Sequence, residues 1–371
     1  VTRLSVLPLT RFDSPDDTTA PAPPEERGVA RDAVRMLVVT GQGVAHAHFR
    51  DLPAYLAPGD LVVVNNSATL AAEFDARAGA RGPVVVHAAG RLDDGTWVVE
   101  LRTPPDASRA VLDAAVGEVL DLPAGGRLTL LAPYPRDGSS PTGSGNRLWR
   151  AAVSGPRQLE QHLVRYGRPI AYGYLDRSYP LSAYQTVFAS RPGSAEMPSA
   201  ARPFSPELVT RLVATGIGVA AVTLHTGVSS QEAGEAPQPE WFEVSATVAR
   251  LVNATRAGGG RVVAVGTTVT RALESAVDEG SGELTARSGW TTRVVSREDP
   301  PRTVDGLVTG WHNPEASHLL LVEAVAGREL TQRAYDEAAR GGYLWHEFGD
   351  SALLLPDRPG AAGLGSGHDP R

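Results

Sequence analysis

The spacing of apolar positions changes character along the chain. Between about residues 67 and 150 they come as short runs, at 83–87, 96–101, 118–122, 127–131 and 147–153. Turn signals separate the runs: Asp93-Asp94-Gly95, Ala124-Gly125-Gly126 and a polar stretch over 137–145. Strands this short and this evenly spaced predict a small antiparallel barrel or sandwich. Further on the period is helical. Ser205-Pro206-Glu207 combines a capping serine, proline at the first helical position and an acid in the first turn. Leu208, Val209, Leu212 and Val213 then form one apolar face, and Gly216 stops the helix. Residues 217–224 are almost continuously apolar, as a strand buried on both faces requires. A second helix carries Val248, Leu251, Val252 and Thr255, ends at Gly258-Gly259-Gly260, and gives way to a strand at Val262–Val265. Alternating helix and strand predicts a layered α/β body. The expected division is a body from residues 1–66 and 152–356, interrupted by a β-barrel domain at 67–151.

The ends differ in texture. Residues 14–28 are polar and proline-rich and predict a loose arm, and 357–371 predict a disordered tail. Gly363-Leu364-Gly365-Ser366-Gly367 in that tail matches a nucleophile elbow in letters only, since no strand precedes it and no helix follows. Residues 1–28 lack the apolar core of a signal peptide, and no run reaches the roughly 20 apolar residues of a membrane span. The expected location is cytoplasmic and the expected partners exclude the membrane.

The 371 residues include no cysteine, which removes disulfides, thiolate metal sites and cysteine nucleophiles. Lysine is absent too, so Schiff-base chemistry and a Walker lysine are excluded. With 35 basic against 42 acidic residues the net charge is −7, so nonspecific neutralisation of phosphates is not the dominant design, although a local arginine patch stays compatible with it.

Candidate chemistry gathers in a few segments. Gly266-Thr267-Thr268 follows a strand and opens a helix that carries Arg271 and Glu274. Such a turn offers backbone N–H groups and two hydroxyls to a polar ligand, with Arg271 placed to clamp a carboxylate; a plain strand-to-helix turn is the alternative. His225 ends the 217–224 strand, where open α/β sheets put their chemistry. His312 lies beside an aromatic in Thr309-Gly310-Trp311-His312-Asn313-Pro314. Either histidine has a structural alternative as an internal hydrogen bonder. Gly216-x-Gly218 precedes its strand and so fails as a dinucleotide loop. His46-x-His48 lacks further ligands nearby, and no metal is expected.

Taken in order, many segments resemble one family, the S-adenosylmethionine:tRNA ribosyltransferase-isomerases of queuosine biosynthesis. They begin with Arg31-Asp32-Ala33-Val34-Arg35-Met36, residues 49–56, and Pro58-Gly59-Asp60 running on to Asn65-Asn66-Ser67. Next come Tyr184-Gln185-Thr186-Val187-Phe188-Ala189, Thr223-Leu224-His225 with Gly227, and Glu240-Trp241-Phe242-Glu243-Val244. Gly266-Thr267-Thr268 with Arg271 and Leu273-Glu274-Ser275, Val304-Asp305-Gly306-Leu307-Val308-Thr309, and Phe348-Gly349-Asp350 complete the set, which spans about residues 31–356.

The resemblance implies an α/β body interrupted by a β-barrel. It implies S-adenosylmethionine as a substrate that donates its ribosyl part, with no recycled cofactor. The implied acceptor is the aminomethyl group of a 7-deazaguanine at the tRNA wobble position. The product then carries an epoxycyclopentanediol, and adenine and methionine leave. A sulfonium acidifies the neighbouring ribose methylene, so one general base can start the reaction. His225, Glu240 and His312 stand at matching positions as acid–base candidates. Asp305 is a further carboxylate with structural capping as its alternative role. Asn65, Asn66 and Ser67 are candidates for holding hydroxyls or a base edge, alongside Gly266, Thr267, Thr268, Arg271 and Glu274.

Three departures stand out. Pro203 and Gln238 replace histidines of the family pattern, and Gly310 replaces an asparagine, with the stretch after it one residue longer. They keep two alternatives open: a diverged paralogue that uses S-adenosylmethionine with a small-molecule acceptor or for its own elimination or rearrangement, and an inactive S-adenosylmethionine-binding protein. Oligomeric state is not legible in the sequence.

Overall fold

The computed structural model describes residues 4–13, 18–136, 145–229, 234–314 and 316–357. Its first strands are β1 (Arg35–Thr40), β2 (Gly43–His48) and β3 (Leu61–Asn65), followed by the short β4 (Ser67–Thr69). Six strands then run in succession: β5 (Glu73–Ala78), β6 (Gly82–Arg91), β7 (Trp97–Arg102), β8 (Val119–Asp121), β9 (Arg127–Tyr134) and β10 (Leu148–Ser154). Helix α1 (Leu159–Tyr166) and β11 (Arg191–Ser194) lead back toward α2 (Pro206–Ala214) and β12 (Gly218–Leu224). Next are β13 (Glu240–Val244), α3 (Ala246–Ala257), β14 (Val262–Val265), α4 (Thr267–Ser275) and β15 (Arg287–Thr291). The order ends with β16 (Gly306–Thr309), α5 (Ser317–Ala326), α6 (Arg328–Arg340) and β17 (Ser351–Leu355).

The fold is α/β: a nine-stranded mixed sheet beside a closed six-stranded antiparallel barrel. The large sheet has the order β15-β13-β12-β3-β14-β16-β17-β1-β2, and β12, β3, β14 and β16 form a parallel block at its centre. Strand side chains alternate between faces. Leu61 and Val63 of β3 therefore join one core with Val248, Val269, Leu319 and Ala334 of α3 to α6, while Val62 and Val64 join the opposite core with Leu208 and Leu212 of α2. Coverage on both faces explains why β3, β12 and β14 are written almost wholly in valine, alanine and leucine.

Ser205 caps α2 by accepting the Leu208 amide, as its sequence predicts. Two members of the predicted apolar faces, Val213 and Leu251, point instead to solvent. A helix buried on one side needs only about 100° of apolar arc, and both lie at its margin.

The barrel follows the order β10-β7-β6-β5-β8-β9. Every apolar run noted in this stretch forms a strand, and β5, a polar–apolar alternation with two alanines on its core side, supplies the sixth. Leu159 and Leu163 of α1 plug the same core as Phe74, Trp97 and Trp149, so this packing unit reaches past residue 151. The arm is a second difference. Residues 18–28 are not loose: Ala20 and Ala22 are buried with Tyr184 and Phe348, and Trp345 exchanges backbone hydrogen bonds with Thr18 and Ala20. Proline costs little backbone entropy on ordering, so a proline-rich segment can dock with few contacts. Residues 358–371, with the glycine-serine motif, lie outside the described residues.

Candidate active site

The parallel strands β12, β3, β14 and β16 end at Leu224, Asn65, Val265 and Thr309. Open α/β sheets bind their ligands beyond such ends. A cavity of about 680 Å³ lies there, with Val265, Gly266, Thr309 and Gly310 in its wall. Six of the predicted site residues line it: Gly266, Thr267, Thr268, Arg271, Glu240 and His312.

Gly266 turns the chain from β14 into α4 at φ 92°, a left-handed conformation that glycine adopts freely. A side chain there would also crowd Ala200, whose Cβ lies 3.2 Å from the position a Gly266 Cβ would take. The turn brings Thr267 and Thr268 to the cavity, and the cap residue has no side chain to close the helix N-terminus.

Arg271 lies one turn further along and is not a free clamp. It forms an ion pair with Glu240 and donates to the carbonyls of Gln238, Thr291 and Arg293. Glu240 also accepts the Gly227 amide at 3.0 Å. Burial pushes the Glu240 carboxyl up, and the Arg271 charge opposes that. The pair ties α4 to the β13 edge, with both partners committed to each other.

Asn65, Asn66, Ser67 and His225 meet at the strand ends but do not line the cavity. Asn65 donates to the Leu224 carbonyl and accepts the amides of Leu224 and Ser67, fastening β3 to β12. Asn66 accepts the Thr223 hydroxyl at 2.7 Å. The Ser67 hydroxyl bridges Ser194 at 2.6 Å and His225 Nδ1 at 2.7 Å. His225 stacks on Trp241 and leans on Gly193, where any side chain would strike its ring. Burial and the Arg191 charge hold its imidazole down at about 4, so it is neutral.

Glu274 points away from the cavity. Its carboxylate accepts the amides of Arg302, Thr303 and Val304, a loop anchor in place of the ligand contact expected from its helix. Asp305 likewise accepts the Val262 amide, which aligns β16 with β14. His312 does face the cavity. Its Nε2 lies 2.9 Å from Thr309 Oγ1, and its ring stacks on His318 at 4.8 Å. Burial and the neighbouring His318 and His346 keep it neutral, well below the ordinary histidine range.

The opposite wall escaped sequence reasoning. Tyr172 and Tyr174 stack there at 5.8 Å, with hydroxyls donating to Glu196 and Glu347 respectively. His346 stacks on Tyr174 at 4.6 Å with φ 68°, a costly conformation outside glycine. Burial pushes the Glu347 carboxyl up to about 7. The available signal was Phe348-Gly349-Asp350, which directly follows this pair of residues. Two of the three departures lie on the cavity wall, Gln238 and Gly310, while Pro203 lines a small adjoining cavity with His346 and Asp350.

A sequence model described as "Queuosine biosynthesis protein" matches residues 9–354. The chain belongs to this family. Within it, a relative from Thermus thermophilus named S-adenosylmethionine:tRNA ribosyltransferase-isomerase is 36% identical over 352 residues, covering 90% of this chain and 97% of its own. A relative of the same name from Nitrobacter winogradskyi is 34% identical over 349 residues, covering 89% and 94%. The crystal structure of S-adenosylmethionine tRNA ribosyltransferase from Thermotoga maritima superposes with a TM-score of 0.50 at 27% identity, covering 93% of this chain and 99% of the other. No described helix is long and apolar enough to cross a membrane.

Proposed function

We propose that this protein is an S-adenosylmethionine:tRNA ribosyltransferase-isomerase acting in the cytoplasm. In this reading it moves the ribosyl part of S-adenosylmethionine onto the aminomethyl group of a 7-deazaguanine at the tRNA wobble position and isomerises it, with adenine and methionine leaving. The observation that carries the proposal is the cavity at the ends of the parallel strands, in a chain that matches the family from residue 9 to 354. About 680 Å³ is a normal volume for a site that encloses a nucleoside-sized ligand.

The reaction needs a neutral base close to an acidified ribose methylene. His312 is the group placed for that part: it lines the cavity, and burial keeps it neutral while also lowering its basicity. When Nε2–H donates to Thr309 Oγ1, the lone pair on Nδ1 is the basic one. Thr267 and Thr268 supply hydroxyls at the start of α4. Asn65, Asn66, Ser67 and His225 act here as positioning residues that fix the strand ends beneath the site. We read the barrel, with α1 closing its core, as a unit inserted into the α/β body.

The test is adenine release from S-adenosylmethionine with and without tRNA bearing the aminomethyl-deazaguanine base. Release that requires the modified tRNA and weakens as salt rises supports the proposal. Release that is indifferent to tRNA transfers the activity to a small-molecule acceptor or to breakdown of S-adenosylmethionine alone. Absence of release from either mixture overturns the enzymatic reading.

A further inference from the structure

Carboxylates at and near the cavity fall into two groups. Glu235 is paired with Arg147, and Glu240 with Arg271. Glu196 and Glu347 take only neutral donors: Glu196 accepts from Tyr172, from the Ser229 amide at 2.8 Å and from the Ser229 hydroxyl, and Glu347 accepts from Tyr174. Among the described residues neither forms an ion pair. The Glu196 charge adds to burial in raising the Glu347 carboxyl, and a cation on this wall relieves that cost.

A second observation points to a ligand at this wall. Tyr184 also lines the cavity and is only 3% exposed, yet its hydroxyl has no hydrogen-bond partner. The charge acting on it most strongly is Glu347. An orphaned hydroxyl in a native interior calls for an explanation, and a bound molecule with an acceptor atom supplies one.

We infer that Glu196 and Glu347, with the stacked Tyr172 and Tyr174 rings between them, form the subsite for the sulfonium centre of S-adenosylmethionine. This rests on the proposed function and adds the place where the substrate's charge is held. A trialkylsulfonium is a soft, weakly hydrated cation. Tyrosine faces attract it through their quadrupoles, and carboxylates neutralise it. In the free protein burial lifts the Glu347 carboxyl to about 7, so it carries a proton part of the time. The arriving cation displaces that proton to solvent. The ionisable groups around Glu347 are Tyr174, which donates to it, Tyr172 and Glu196 on the same wall, Tyr184 beside it and His346 on its own loop. Burial keeps the three tyrosines protonated and His346 neutral, which leaves Glu347 as the group that gives up the proton.

The experiment is calorimetric titration with S-adenosylmethionine and with S-adenosylhomocysteine, its neutral thioether, on wild type, Glu196→Gln and Glu347→Gln. Wild type is expected to bind the sulfonium about tenfold or more tighter than the thioether, the scale of one charge contact in a partly dry site. Each glutamine variant should lose most of that ratio while its affinity for the thioether moves less than about threefold. Titrations of wild type at pH 7 in buffers of different ionisation enthalpy should show proton release with the sulfonium and little with the thioether. That readout decides the matter if a variant proves misfolded by circular dichroism. Unchanged ratios in folded variants, or equal proton release for both ligands, overturn the subsite while the donor reading stands. Binding of neither ligand to wild type overturns both.

Discussion

Arg271 and Glu240 are bound to each other across the junction of α4 and β13, and both belong to the cavity wall. The arginine's remaining donors go to three backbone carbonyls. Removing the acid leaves a buried cation without its counter-charge, which is far costlier than losing a surface pair. Glu240→Ala should therefore destabilise the protein by about 3 kcal/mol in urea unfolding. A loss below about 0.5 kcal/mol would mean that the pair is dispensable and Arg271 is free for a ligand.

Ser67 and His225 form a coupled pair at the ends of β3 and β12. Ser67→Ala and His225→Ala should each lower stability by about 1 kcal/mol, and the double variant by less than the sum. Strict additivity in the double-mutant cycle would break the link between the hydroxyl and the ring.

Glu274 gathers the amides of Arg302, Thr303 and Val304. Glu274→Ala strands three buried or half-buried donors and should cost about 2 kcal/mol or more. S-adenosylmethionine affinity in the folded variant should stay within about threefold of wild type, since no ligand contact is lost. A tenfold loss of affinity at unchanged stability would restore Glu274 to the binding site.

His318 stacks on His312, and burial together with the Arg271 charge holds its imidazole down at about 4. The folded protein thus prefers the neutral ring. That contribution is complete above the ordinary histidine value near 6.5 and is lost as pH falls through about 4. His318→Gln removes the titration, so its melting temperature should fall less steeply than wild type between pH 6.5 and 4. Parallel curves over that range would show that His318 does not set the acid limb.

The body's architecture was legible because its signals are local. A capping serine before Pro206, a glycine after the helix and an unbroken run of valine and alanine in β14 each state a backbone preference within a few residues. The barrel runs were legible for the same reason, except β5. Its Glu73-Phe74-Asp75-Ala76-Arg77-Ala78 alternates strictly, but two of its three apolar core residues are alanine, so it makes no apolar run.

Which of the remaining polar candidates face the cavity was decided by tertiary structure. Gly266, Thr267 and Thr268 announce themselves, since a glycine turn from strand to helix leaves few orientations for the first residues of the helix. His225, Asn65 and Glu274 carry equally suggestive chemistry, but their partners lie 158, 159 and 28 to 30 positions away in the chain. Those partners take up the groups that a ligand would have used. Tyr172, Tyr174, Glu196 and Glu347 have no regular pattern in sequence, because loops from three parts of the chain converge on one wall. Propensity and periodicity describe a residue's neighbours along the chain. The environment that holds His312 neutral and lifts the Glu347 carboxyl exists only once distant segments have excluded water from the same small volume.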